Sequence, residues 1–190
     1  MATEKFQYQG VNHVALVCKD MKETVDFYTN VLEMPLVKTI ELGNRGQHFF
    51  FDAGNGATIA FFWFPDAPDA APGVASQDQR PGSSFTTAHA SMNHLAISIP
   101  LERFDEYVAR LKGKGIRVHV INHADNPEGY TVGVTDETWI RSMYFQDPSG
   151  IAMELAAYTR AFRSDDVAHK PATYADRERY LAARQAANGH

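Results

Sequence analysis

Asp147-Pro148-Ser149-Gly150 runs directly into Ile151-Ala152-Met153-Glu154-Leu155-Ala156. Proline fixes one backbone angle, glycine permits a positive one and an aspartate side chain can bond the turn amides, so the first four residues read as a tight turn. Side chains alternate across the strand that follows. Ile151, Met153 and Leu155 then share a core face, while Ala152, Glu154 and Ala156 share the other. A carboxylate on a surface cleared by methyl groups has to be solvated, paired or bound to a cation.

Two distant segments offer partners for that acid. Asn12-His13-Val14-Ala15-Leu16 and Asn93-His94-Leu95-Ala96-Ile97 are nearly the same phrase. Alternation places His13 beside Ala15 and His94 beside Ala96, with the larger aliphatics opposite. Three strands thus present His, His and Glu, each next to alanine, and His13, His94 and Glu154 are expected to converge on one divalent metal.

The surroundings of the two phrases repeat as well. Val11 to Val17 is expected as a strand, followed by a helix that Asp20 caps, with Glu23 completing a capping box and Met21, Val25, Tyr28 and Leu32 at helical spacing. Pro35 ends it. Strands at Leu36 to Leu42, Gln47 to Ala53 and Ala57 to Phe64 follow, separated by Gly43-Asn44-Arg45-Gly46 and Gly54-Asn55-Gly56. The pattern restarts after Ala90. Met92 to Ile99 is a strand, Leu101, Phe104, Val108 and Leu111 mark a helix, and Ile116 to Ile121, Trp139 to Gln146 and Gly150 to Tyr158 are strands. His13 and His94 are 81 positions apart and Gly56 and Gly150 are 94 apart, so the second half carries about 13 extra residues, assigned to Asn122 to Thr138. A duplication with so long a period predicts pseudo-twofold architecture. The expected organisation is an α+β chain of two βαβββ modules, 1–64 and 91–158, in each of which a helix covers one sheet face and the other face lines a shared cavity. A Pro, Ala, Ser and Gly-rich linker spans 65–90, and a polar tail spans 159–190 with a helix at Tyr174 to Ala187.

Composition narrows the function. The 190 residues carry a net charge of -5, which provides no basic footprint for nucleic acid or an anionic membrane. Cys18 is the single cysteine, so no internal disulfide framework forms and a reducing, cytoplasmic setting is expected. The most apolar stretch, Ile59 to Phe64, is far too short to span a bilayer. His119 is expected to face solvent, and His123 to lie in the inserted loop. Phe61, Phe62, Trp63 and Trp139 read first as core and second as a pocket lining.

From Val11 to Tyr158 the chain resembles the vicinal oxygen chelate superfamily of glyoxalases, type I extradiol dioxygenases, epimerases and fosfomycin or bleomycin resistance proteins. The resemblance implies paired βαβββ modules forming a cup-shaped mixed sheet that holds a metal, with ligands on the first and last strands of each module, which fall on His13, His94, Glu154 and, in the first module, Ala60 or an adjacent residue; Ala60 cannot bind a metal, so three protein ligands remain. Two histidines and one carboxylate with open positions match the facial set of oxygen-activating iron(II) enzymes, so Fe(II) is favoured, with Mn(II), Zn(II) or Ni(II) as alternatives. Met143-Tyr144-Phe145-Gln146-Asp147-Pro148-Ser149-Gly150 with Glu154 resembles the end of the extradiol signature, and Tyr144 matches the tyrosine that bonds the bound substrate oxygen. That signature also has a histidine shortly upstream, where this chain has Asp136, Glu137 and Thr138. Extradiol enzymes also place an acid-base histidine near the start of the strand that here begins at Ala57, where none occurs; His48 on the preceding strand is the candidate proton carrier. The implied activity is dioxygenase-like oxidation of a small molecule with adjacent oxygens by a homodimer. A non-redox lyase or isomerase of the glyoxalase or epimerase type, or a metal-free resistance or binding protein, is the alternative.

Overall fold

The computed structural model describes residues 7, 9–80 and 83–188, with side chains described as far as residue 186. It separates into two units, residues 1–159 and residues 160–190. The first unit holds both halves of the duplication. β1 (His13–Val17), α1 (Met21–Asp26), β2 (Leu36–Glu41), β3 (Gln47–Gly54) and β4 (Ala57–Trp63) form a βαβββ module. β5 (Leu95–Ser98), α2 (Phe104–Gly113), β6 (His119–Ala124), β7 (Tyr130–Thr131), β8 (Thr138–Gln146) and β9 (Ala152–Tyr158) form the second. Each module has its own mixed sheet, ordered β1-β4-β3-β2 and β5-β9-β8-β6-β7. In both, the first strand pairs in parallel with the last and the other pairings are antiparallel.

Register makes the duplication explicit. Ala15 pairs with Ala60 in the first sheet and Ala96 pairs with Glu154 in the second. Ala60 is therefore the counterpart of Glu154, one half keeping a carboxylate where the other has a methyl group.

Elements form where the sequence supplies their local chemistry. Asp20 is extended at φ -140° and its carboxylate accepts the Glu23 amide at 2.8 Å, capping α1. The helix then widens into a π-turn over Phe27–Val31, closed by the Leu32 amide on the Phe27 carbonyl at 3.1 Å. That widening was not legible in the spacing of Met21, Val25, Tyr28 and Leu32. The ring of Tyr28 is fully buried 5.2 Å from Phe51 and 4.9 Å from Phe61. Its hydroxyl reaches the second module, donating to Asp147 Oδ2 at 3.3 Å. One core runs through both modules, joining Phe27, Tyr28, Phe51 and Phe61 to Phe104, Phe145, Met153 and Leu155. Burial of each such phenylalanine contributes about 2 kcal/mol.

Several boundaries differ from the sequence reading. β1 and β5 start at His13 and Leu95, later than Val11 and Met92; ahead of β5 the Asn93 carbonyl is taken by the Gln77 amide. β6 begins at His119 and runs on to Ala124, into the segment assigned to the insertion, which also contributes β7. Among its described residues the 65–90 segment has one bridge, between Pro72 and Ser76. It is tethered all the same: the buried Ser76 hydroxyl accepts the Ala152 amide at 2.9 Å, and the Gln77 amide donates to the Asn93 carbonyl at 2.8 Å. In the second unit, α3 (Arg177–Asn188) follows a turn in which Asp176 accepts the Thr173 amide at 2.8 Å.

Gly46 closes the β2–β3 hairpin at φ +134°, and a Cβ there would lie 1.9 Å from the Trp63 carbonyl oxygen. Neither the angle nor the contact tolerates a side chain. Gly46→Ala is expected to destabilise the chain by more than about 1 kcal/mol, read as a lowered midpoint in urea unfolding with unchanged slope.

Candidate functional site

The turn quoted at the outset builds the site from beneath. Asp147 Oδ1 accepts the Ser149 and Ile151 amides at 2.9 and 2.8 Å, Gly150 takes φ +86°, and β9 leaves with Met153 and Leu155 in the core. Glu154 consequently emerges on the opposite face, paired in register with Tyr144 on β8 and Ala96 on β5. It is 4% exposed.

His94 stands immediately before β5 and directs Nε2 at Glu154 Oε2, 2.9 Å away. Ser142 donates its hydroxyl to the other carboxylate oxygen, Oε1, at 2.5 Å. Burial works to raise the Glu154 pKa, but the bonds from His94 and Ser142 outweigh it and hold the carboxyl below its ordinary value.

The other nitrogen of His94 is also held. Nδ1 lies 2.8 Å from Asn93 Oδ1. The Asn93 amide nitrogen donates to the Phe85 carbonyl at 2.7 Å, which fixes its oxygen toward the imidazole. His94 Nδ1 is thus the N–H donor, and Nε2 meets a carboxylate with a lone pair unless a second proton or a metal ion stands between them. The imidazole and carboxylate, with the first ring nitrogen already held, fit a divalent metal by donor type and by orientation.

His13 repeats half of this arrangement. Its Nδ1 lies 2.8 Å from Asn12 Oδ1, leaving Nε2 open, but it belongs to the other sheet and its ring packs 6.1 Å from Phe50. Among the described residues, no group of three or more His, Cys, Asp or Glu side chains is placed to hold a metal ion. Within one chain, then, the structure brings His94 and Glu154 together and leaves His13 apart. The β1 face that carries it, with Ala15 and Val17, is exposed, as are Ala96 and Ser98 on β5.

Tyr144 stands edge-on to His94, with ring centroids 5.7 Å apart at 90°. Burial first, and the neighbouring Glu154 carboxylate next, push its pKa up to about 12. Its hydroxyl lies 3.0 Å from His123 Nε2. Burial also holds His123 below its ordinary pKa, with Glu154 opposing and His94 adding to the effect, so the imidazole is neutral near pH 7. His123 was read from the sequence as a loop residue. The available signal was the continuation of Ile121-Asn122-His123-Ala124 as alternating strand into the inserted segment. His48 lies on β3, bonded through Nδ1 to the Phe61 carbonyl at 3.1 Å and stacked 3.6 Å from Phe62 at 3°. With Phe50 and Phe64 it makes an aromatic surface on the first sheet. No Lys or Arg occupies the Glu154 face of the strands in the second sheet; Arg141 projects the other way, over the Phe104 ring and onto Asp105.

Comparison with known proteins agrees with this architecture. The sequence model of the Glyoxalase/Bleomycin resistance protein/Dioxygenase superfamily matches residues 10–155. The chain belongs to that superfamily. The metallothiol transferase FosB of Shouchella clausii (strain KSM-K16) is 30% identical to it over 155 residues, covering 81% of this chain and 84% of its own. The uncharacterized protein YwkD of Bacillus subtilis (strain 168) is 26% identical over 149 residues, covering 77% of this chain and 95% of its own. The fold is shared with a crystal structure of a Glu-to-Gln variant of the fosfomycin resistance protein FosX from Listeria monocytogenes, complexed with Mn(II) and 1S,2S-dihydroxypropylphosphonic acid. The TM-score is 0.51 and the identity 22%, over 80% of this chain and 93% of that one. Among the described residues of this superfamily member, no helix is long and apolar enough to cross a membrane.

Proposed function

We propose that this chain is a metal-dependent enzyme acting on a small molecule with adjacent oxygens, its metal held by His94 and Glu154 of one copy and His13 of a second. The observation that carries the reading is His94 itself, fixed by Asn93 with its remaining nitrogen 2.9 Å from a buried carboxylate. The exposed His13 face of β1 and the equally exposed outer residues of β5 support completion of the site by a homodimer. The bound ion supplies polarisation of the chelated oxygens and a template for them. Glu154 and the histidines hold their positions through Ser142, Asn93 and Asn12. Tyr144 meets an oxygen of the ligand, and His48 Nε2, left open by the Phe61 bond, is the candidate proton carrier.

The aromatic surface of Phe50, His48, Phe62 and Phe64 adjoins His13, which favours a ring-bearing ligand. The lack of cations on the Glu154 face disfavours a phosphonate. Together these make oxidative cleavage of a catechol by dioxygen, with Fe(II), the sharper form of the proposal. The relationship to a metallothiol transferase supports a second form, non-redox transfer or isomerisation with Mn(II) or another divalent ion. Metal analysis after anaerobic purification separates them. Iron with oxygen uptake on catechols supports the first, proton exchange or thiol transfer without oxygen uptake supports the second, and a protein that takes up no divalent metal contradicts both.

Asn93 orients a ligand without touching the ion, and such outer partners are worth about 10–100-fold in metal affinity. Asn93→Ala is expected to weaken Mn(II) binding by about that factor in calorimetric titration, and Asn12→Ala to do the same from the other copy.

A further inference from the structure

The pseudo-symmetry of the two modules breaks at one hydrogen bond. In the first module the Thr58 amide donates directly to the Asn12 carbonyl at 3.0 Å, and His13 pairs with Thr58 at the start of β1. The register of Ala15 with Ala60 and of Ala96 with Glu154 makes Asn93 and Ala152 the counterparts of Asn12 and Thr58. There the direct bond is replaced. The Ala152 amide donates to the Ser76 hydroxyl at 2.9 Å, and that hydroxyl donates onward to the Asn93 carbonyl at 3.3 Å. A side chain of the 65–90 linker thus stands in the ladder between the strand that carries Glu154 and the residue before His94. Two bonds in series hold the backbones further apart than one. Pairing of β5 with β9 accordingly begins at Leu95 with Met153, and His94 lies outside the ladder.

The linker is folded so as to hold that hydroxyl in place. The Gly73 amide donates to the Ser76 carbonyl at 2.8 Å, and the Gln77 amide donates to the Asn93 carbonyl at 2.8 Å. From the other side the Asn93 side-chain nitrogen donates to the Phe85 carbonyl at 2.7 Å and to the Thr87 hydroxyl at 3.3 Å. We infer that Ser76 is a positioning residue for the metal centre: its hydroxyl wedges the starts of β5 and β9 apart and releases His94 from strand pairing, so that the imidazole turns to Glu154. This rests on the reading of His94 and Glu154 as metal ligands. The wedge stands in the module that keeps the carboxylate, and the ladder closes directly in the module where Ala60 takes its place.

The test has two parts, both on the full chain. In the isotope-labelled, metal-free protein, scalar couplings across backbone hydrogen bonds report which amide meets which carbonyl. The wild type is expected to show couplings from Thr58 to Asn12 and from Gln77 to Asn93, and none from Ala152 to Asn93. In Ser76→Ala the buried Ala152 amide loses its acceptor, a loss that closure onto the Asn93 carbonyl repairs, so the missing coupling is expected to appear. Calorimetric titration is then expected to show Mn(II) affinity lowered by about 10–100-fold in Ser76→Ala, the range for groups that orient a ligand, and restored in Ser76→Thr, which keeps the hydroxyl. A direct coupling from Ala152 to Asn93 in the wild type overturns the inference without recourse to any variant. Wild-type Mn(II) affinity in Ser76→Ala overturns it as well and leaves the metal site standing. A wild-type protein that takes up no Mn(II) removes the site reading, and the inference with it.

Discussion

Glu154→Gln is expected to lower divalent-metal affinity by at least about a hundredfold, more than the loss of a residue that only supports a ligand. The amide keeps a carbonyl oxygen for the Ser142 hydroxyl, so the fold beneath it is spared, but it removes the anionic donor. His94→Ala is expected to match it. The discriminating member of the series is His13→Ala. In one chain His13 is exposed, on a different sheet from the His94–Glu154 pair, so its loss leaves that pair undisturbed. If a second copy completes the site, metal affinity nevertheless falls as far as it does for Glu154→Gln, with an unchanged thermal midpoint of the metal-free protein. Calorimetric titration with Mn(II) checks all three, and wild-type affinity in His13→Ala would leave the histidine out of the site.

The second large effect is on stability. Asp147 is 5% exposed, and burial, partly offset by the amides of Ile151 and Ser149 and the Tyr28 hydroxyl, pushes its pKa up from 3.8 to about 6. A carboxyl whose pKa rises on folding binds its proton more tightly in the folded chain. The stabilisation is therefore complete below the unfolded value and is lost as pH rises through the folded one, about 3 kcal/mol between roughly pH 4 and pH 6.5. Asp147→Asn removes the titration and keeps the geometry: Oδ1 still accepts the two turn amides, and Nδ2 donates to the Tyr28 oxygen in place of the bond Tyr28 now makes. The difference in unfolding free energy between variant and wild type is expected to shift in the variant's favour by about 3 kcal/mol across that window. Urea unfolding at a series of pH values measures it, and parallel curves would contradict it.

The architecture was legible because the two halves repeat a phrase. Asn-His-x-Ala opens each module, and strand alternation around Ile151, Met153 and Leu155 put Glu154 on the correct face. The register of Ala15 with Ala60 and of Ala96 with Glu154 is the same fact in three dimensions. What repetition cannot convey is proximity. His13 and His94 are equivalent by pseudo-symmetry, yet equivalence places them on two sheets, and the distance between those sheets depends on how the modules pack. That packing runs through the helix-covered faces, with Tyr28 reaching Asp147 and Met153, which is a matter of side-chain fit and not of period. His123 has a different kind of obscurity in the sequence. The inserted residues broke the comparison between halves at the point where β6 continues, so a strand residue was read as loop. The Asn93 bond to the linker at Phe85 had no local signature at all, since it joins residues of unrelated pattern.

The most direct test of the shared site mixes two defective chains. His13→Ala and Glu154→Gln, each deficient in Mn(II) binding alone, are co-refolded in equal amounts and the mixed dimer is isolated by differential tags. A site built from His94 and Glu154 of one copy and His13 of the other predicts one intact, wild-type-affinity Mn(II) site per mixed dimer, because one chain retains the pair and its partner retains the histidine. A mixed dimer that binds Mn(II) no better than either parent would contradict it.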